Sequence, residues 1–121
     1  MQRLVPSLIA IGALAVAACG SDAKSSIDAK PASTKVVTCP GAADIKATIN
    51  VNAGGTAFMP STATIPVGGI VHFDTTAAHP VGANDNSFTI NTGDGCVQFT
   101  AAGSFGFQCL VHGFTGTITV Q

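Results

Sequence analysis

The sequence contains no tryptophan and no tyrosine, so seven phenylalanines supply all of its large aromatic packing. Charge is nearly as scarce: Asp, Glu, Lys and Arg make up 9% of 121 residues, and the formal net charge is -1. Such a chain has no electrostatic case for nucleic acid, which calls for a clustered basic face. Long-range charge would also steer a partner only weakly. Three of the five basic residues, Arg3, Lys24 and Lys30, fall ahead of the folded part. Also missing are internal repeats, a helix-period apolar pattern of useful length, and any nucleophile elbow or HExxH signature. What remains is 46% apolar, which separates the chain from disordered sequences, and its length admits one domain and a tail.

The opening MQRLVPSLIAIGALAVAAC has a basic start, an apolar centre and small residues at its end. That is the pattern of an export signal, too short and too weakly flanked to be kept as a membrane span. Its end, Val16-Ala17-Ala18-Cys19, resembles the bacterial lipobox, in which the cysteine is lipidated and becomes the first mature residue. Residues 1–18 are thus expected to be a signal peptide with Cys19 as the lipid anchor. An ordinary signal cut near Ala18, with Cys19 an incidental thiol, is the alternative. Gly20 and Ser21 follow in place of Asp, and by resemblance to Gram-negative lipoproteins that implies export to the periplasmic side of a membrane, the outer membrane if the source is Gram-negative. Residues 19–34, rich in Ser, Ala, Lys and Asp, cannot bury enough surface to offset their ordering entropy and read as a flexible tether.

From about Lys35 to Gln121 the pattern changes to short alternating runs divided by Gly, Pro, Asn and Asp. Ile45, Ala47, Ile49 and Val51 share one face of a run, and Ala63, Ile65 and Val67 share another. Pro66 argues for an edge position or a strand end. Val71 and Phe73 point one way and His72 the other, where a solvated histidine is the default. Further runs are Ser87–Ile90, Cys96–Phe99, Ser104–Cys109 and Thr115–Val120, with a first one near Lys35–Thr38. About eight short strands at this spacing predict an all-β domain, either sandwich or barrel. A single antiparallel sheet would leave one face bare, so two sheets must pack together.

The chemistry gathers near the end of the chain. Phe105, Phe107 and Cys109 share one strand face, which brings Cys109 to the rim of the core. His112 follows after two residues, close enough for a tight loop to converge both side chains. Upstream, His79 lies in the loop-like Ala77-Ala78-His79-Pro80. Two imidazole nitrogens and one thiolate form the trigonal donor set of blue copper centres, which a weak axial ligand completes. Beyond the loop, Gly116, Ile118 and Val120 are expected to face inward and Thr115, Thr117 and Thr119 outward. Asp85, Asn86, Asp94 and the Gly93/Gly95 pair read as turn chemistry, without a full calcium loop. Cys109 with His112 as a catalytic nucleophile and base is disfavoured by the inward parity of the thiol.

The ordered series F-x-P, I-x-V-x-G, V-x-F, H, G-x-F-x-F-x-C-x-x-H and G-T-I-T-V, from Phe58 to Val120, resembles the cupredoxins, nearest the plastocyanin and amicyanin subfamily. The resemblance implies an eight-stranded Greek-key β-sandwich. At one end it would hold one copper ion on His79, Cys109 and His112, with one-electron transfer and no enzymatic turnover. It further implies a monomer whose redox partner docks near His112, over Pro80, Leu110, Val111 and Phe114.

Two departures stand out against that family. Its short-loop members read C-x-x-H-x-x-M, and here the seventh position is Thr115. No methionine follows His112, and Met59 belongs to the F-x-P element, which is not a ligand position in the family. Either copper is effectively three-coordinate, or Thr115, a backbone carbonyl or water is the weak axial ligand. Loss of the thioether without replacement favours Cu(I), whereas an oxygen ligand favours Cu(II). The second departure is Pro80, where many cupredoxins carry an Asn whose N–H bonds the thiolate. Proline has no N–H, and losing that bond lowers the potential.

Cys39 and Cys96 are left once Cys19 is assigned to lipid and Cys109 to metal. In an exported protein this even remainder is expected to pair as a disulfide. The competing assignment is a zinc site of Cys39, Cys96, Cys109 and His112, a known kind of donor set. Two rivals to the electron carrier stand beside it: a copper-handling protein that does not shuttle electrons, and a metal-free interaction domain.

Overall fold

Period-two alternation becomes strands on both sides of a shared apolar layer. The computed structural model describes residues 32–121, so the signal, Cys19 and most of the tether lie outside the described residues. Ala32–Gln121 is one compact unit. Its strands are β1 (Thr34–Val37), β2 (Ile45–Val51), β3 (Phe58–Met59), β4 (Thr62–Ile65), β5 (Ile70–Asp74), β6 (Val81–Ala83), β7 (Thr89–Ile90), β8 (Asp94–Phe99), β9 (Gly103–Cys109) and β10 (Thr115–Val120). A single 3-10 turn, Ala42–Asp44, precedes β2.

The strands form two five-stranded sheets, ordered β1-β8-β5-β2-β3 and β4-β10-β9-β6-β7. Pairing is antiparallel except for β2 with β5 and β4 with β10, which are parallel. This is the expected all-β sandwich, with ten strands rather than about eight. The additions are β3 and β6. In β6 Val81, Gly82 and Ala83 are all buried, so no apolar–polar alternation announces a strand. Leu110 covers Gly82 so closely that a Cβ there would lie 2.7 Å from Leu110 Cδ2. The run expected at Ser87–Ile90 shortens to Thr89–Ile90, because Asp85 Oδ1 accepts from the Ser87 N–H and Asn86 turns the chain at φ 63°. Pro66 follows the last residue of β4, which is itself an edge strand.

Inward residues of both sheets make one core. Ile49, Val71, Phe73, Val97 and Phe99 come from the first sheet, and Ile65, Val81, Phe107, Ile118 and Val120 from the second. All seven phenylalanines join a continuous run of ring contacts, Phe114–Phe58–Phe107–Phe73–Phe88–Phe99–Phe105, with centroids 4.7 to 6.1 Å apart. Such pairs contribute about 0.5–1.5 kcal/mol each beyond the area they bury. In a chain without Trp or Tyr this run is the aromatic spine, and its Phe114 end lies at the candidate site.

Cys39, just after β1, is disulfide-bonded to Cys96 of β8, across a sequence separation of 57. A closed loop of that length stabilises a domain by about 4 kcal/mol in the chain-entropy model. The bond also settles the zinc assignment, because two of its four proposed ligands are consumed in it.

Candidate metal centre

Three loops and strand ends meet at one end of the sandwich. Cys109 ends β9, which lies between β10 and β6, and its side chain is 1% exposed. The loop after it is closed at its base by two backbone bonds. Cys109 N–H donates to the Phe114 carbonyl (2.8 Å), and Gly113 N–H to the Cys109 carbonyl (2.8 Å). Gly113, at φ 80° with open space around it, supplies the left-handed turn this reversal requires. His112 is carried exposed on that loop.

His79 arrives from the other direction. β6 pairs with β9 so that Val81 lies opposite Cys109, which places the loop before β6 beside the thiol. Leu110 N–H donates to the Pro80 carbonyl at 2.8 Å, joining the two ligand-bearing loops directly. The His79 N–H donates to the Thr76 carbonyl at 2.8 Å. The buried Thr75 hydroxyl lies 2.7 Å from the His79 carbonyl oxygen and 2.8 Å from that of Gly93, sharing one hydrogen between them. On the outer edge of the imidazole runs Gly55 (φ 67°), where an added Cβ would stand 3.3 Å from His79 Cε1. Neither Thr75 nor Gly55 is signalled by the sequence.

The donor atoms converge. Cys109 Sγ is 3.8 Å from His79 Nδ1 and 3.6 Å from His112 Nδ1, and all three donors lie within 4.8 Å of one another. A first-row metal bound at about 2.0 Å to nitrogen and about 2.3 Å to sulfur in a trigonal plane sets S···N at about 3.7 Å. Both sulfur–nitrogen distances match that value, so this donor set suits a soft, first-row ion. Around the site Leu110 and Val111 are exposed, while Pro80 and Phe114 are half-buried.

Other candidates fall elsewhere. Met59 is 58% exposed on β3, next to the inward Phe58. Thr115 opens β10 opposite Gln108 and is exposed. His72 stays on the outer face of the first sheet, with Nε2 2.7 Å from Asp94 Oδ1. Its ring also approaches the sulfurs of Cys39 and Cys96 within 4.8 Å, but these are joined to each other.

No protein-family model matches the sequence, and no curated protein matches it either. Solved structures do match in fold. A Cu(I) amicyanin mutant superposes with a TM-score of 0.57 at 16% identity, over 74% of this chain and 99% of that one. An oxidised amicyanin mutant gives 0.57 at 15% identity over the same shares. Amicyanin from Paracoccus versutus (Thiobacillus versutus) gives 0.52 at 16% identity, over 72% of this chain and 92% of that one. Likeness at this level of identity speaks to architecture. The described domain has the cupredoxin-like fold, and at one end of it His79, Cys109 and His112 form a candidate metal centre.

Proposed function

We propose that the protein is a type 1 copper protein that carries single electrons. The observation behind this reading is the convergence of His79 Nδ1, Cys109 Sγ and His112 Nδ1 on one point, within a fold shared with the copper-containing amicyanin structures. A bound copper would supply one-electron exchange between Cu(I) and Cu(II). The chain supplies the rest.

Cys109 contributes a thiol held by an interior strand and shut from bulk water. His79 offers Nδ1 from a loop held through its carbonyl by Thr75, so the nitrogen changes little between oxidation states. His112 offers Nδ1 inward from an exposed loop, so its ring edge opens to the surface. Around that edge Leu110 and Val111 are 46% and 65% exposed, an apolar rim suited to a small, transient encounter with a redox protein. An anchor at Cys19 and the stretch that leads from it to Ala32, where the compact unit begins, would keep the domain at a membrane while it searches for that partner. On the lipobox resemblance the domain lies on the periplasmic side.

The rival reading, copper handling without electron exchange, differs in one measurable respect. Cyclic voltammetry of the copper-loaded chain is expected to give a reversible one-electron wave, with fast exchange to a small soluble redox protein. Copper that binds but gives no reversible wave would replace the carrier reading with the handling one.

A further inference from the structure

Counting from the cysteine puts Thr115 in the axial place, but strand register decides which side chain faces the site. In the β9–β10 ladder Thr115 lies opposite Gln108 and Gly116 opposite Phe107. Extended by one residue, the same register sets Phe114 opposite Cys109, and the bond from Cys109 N–H to the Phe114 carbonyl closes that pair. Directly opposed residues in an antiparallel pair share a face. Phe114 therefore lies on the face of Cys109, and Thr115 on the other.

The inward face is confirmed at the next residue of that parity. A Cβ on Gly116 would stand 2.3 Å from Phe107 Cζ and 2.6 Å from the Ser61 carbonyl oxygen, so this face of β10 is the core face. Phe114 is half-buried and touches both candidate histidines. Its ring is stacked near-parallel with His112 (12°, centroids 6.2 Å apart) and tilted against His79 at 5.7 Å. Phe58 supports it from below, edge-on at 4.7 Å.

We propose that Phe114, and not Thr115, fills the fourth side of the metal centre, closing it with an apolar ring and leaving three protein ligands. The proposal rests on the copper reading for its redox consequence, but the placement of Phe114 does not depend on metal. A phenyl ring offers no donor atom and excludes water from the face it covers. Copper held by two imidazoles and one thiolate, with neither thioether nor oxygen beyond them, is biased toward Cu(I), the softer ion. Phe114 is a positioning and tuning residue in this account. Its ring sets the plane of His112, and its apolar bulk sets the donor number.

Two methionine substitutions distinguish Phe114 from Thr115. In metal-free Phe114→Met the labelled methyl group is expected to show nuclear Overhauser contacts to the rings of His79 and His112, and in Thr115→Met it is not. After copper loading, Phe114→Met is expected to lower the reduction potential and change the electron paramagnetic resonance splitting, because a thioether now reaches the ion. Thr115→Met should match the unsubstituted protein in both, and Phe114→Leu, still donor-free, should keep the three-coordinate signature. Contacts and altered spectra from Thr115→Met, with none from Phe114→Met, would overturn the proposal. Should the methyl contacts emerge as expected while no variant binds copper, the copper reading falls and the placement of Phe114 stands.

Discussion

Two clusters in this domain bring histidine and cysteine within metal-binding distance, and they behave as opposites. At the end of the sandwich, His79, Cys109 and His112 point three donors at one another around a buried free thiol. On the outer face of the first sheet, His72 meets Cys39 and Cys96 just as closely, but the sulfurs there are spent in a disulfide and the imidazole bonds Asp94. Proximity of donor types is therefore not a site. What separates the two is the chemical state of sulfur and what holds the histidines. In the first cluster backbone bonds between loops converge the ligands, and in the second a covalent bond fastens the strand.

The comparison can be broken from either side. The largest expected effect on stability comes from replacing both Cys39 and Cys96 by Ser, which should cost about 4 kcal/mol in urea denaturation. The copper spectrum should be unchanged, and a lost spectrum would mean the clusters are not independent. Next is Thr75→Val. It keeps the shape but removes the hydroxyl that bonds the part-buried His79 carbonyl, a loss of about 0.5–1.5 kcal/mol for an ordinary hydrogen bond. The copper absorption is also expected to shift, because the loop that carries His79 loosens. Smallest is His72→Ala. Its contact with Asp94 is partly solvated, with side chains 23% and 63% exposed, and exposed ion pairs contribute about 0–1 kcal/mol. Isothermal titration should find the same copper stoichiometry as before.

Much of the architecture was legible where residues alternate. Ile45 to Val51, Val71 and Phe73, and Gly116, Ile118 and Val120 all face the way their parity predicts. β6 was hidden because Val81, Gly82 and Ala83 are buried together under Leu110, so the sequence carries no alternation there. The site was legible in part. Cys109 and His112 are close in sequence, whereas His79 joins them only through the pairing of β6 with β9, which no local pattern encodes. Thr75 carries no local signal because its role depends on carbonyls at His79 and Gly93 that folding brings to it. Thr115 carried two expectations: strand parity turned it outward, as the structure has it, while counting along the motif made it an axial candidate. Loop closure between Cys109 and Phe114 sets the parity of β10, and a one-residue difference exchanges the faces.

The claim on which the rest depends is that His79, Cys109 and His112 bind copper through the thiolate. It is tested most directly by adding one equivalent of Cu(II) to the chain carrying Cys19→Ser and recording its visible spectrum beside that of the same chain with Cys109→Ser. The account predicts an intense thiolate-to-copper absorption in the first and none in the second. A colourless first protein with no bound copper would contradict it.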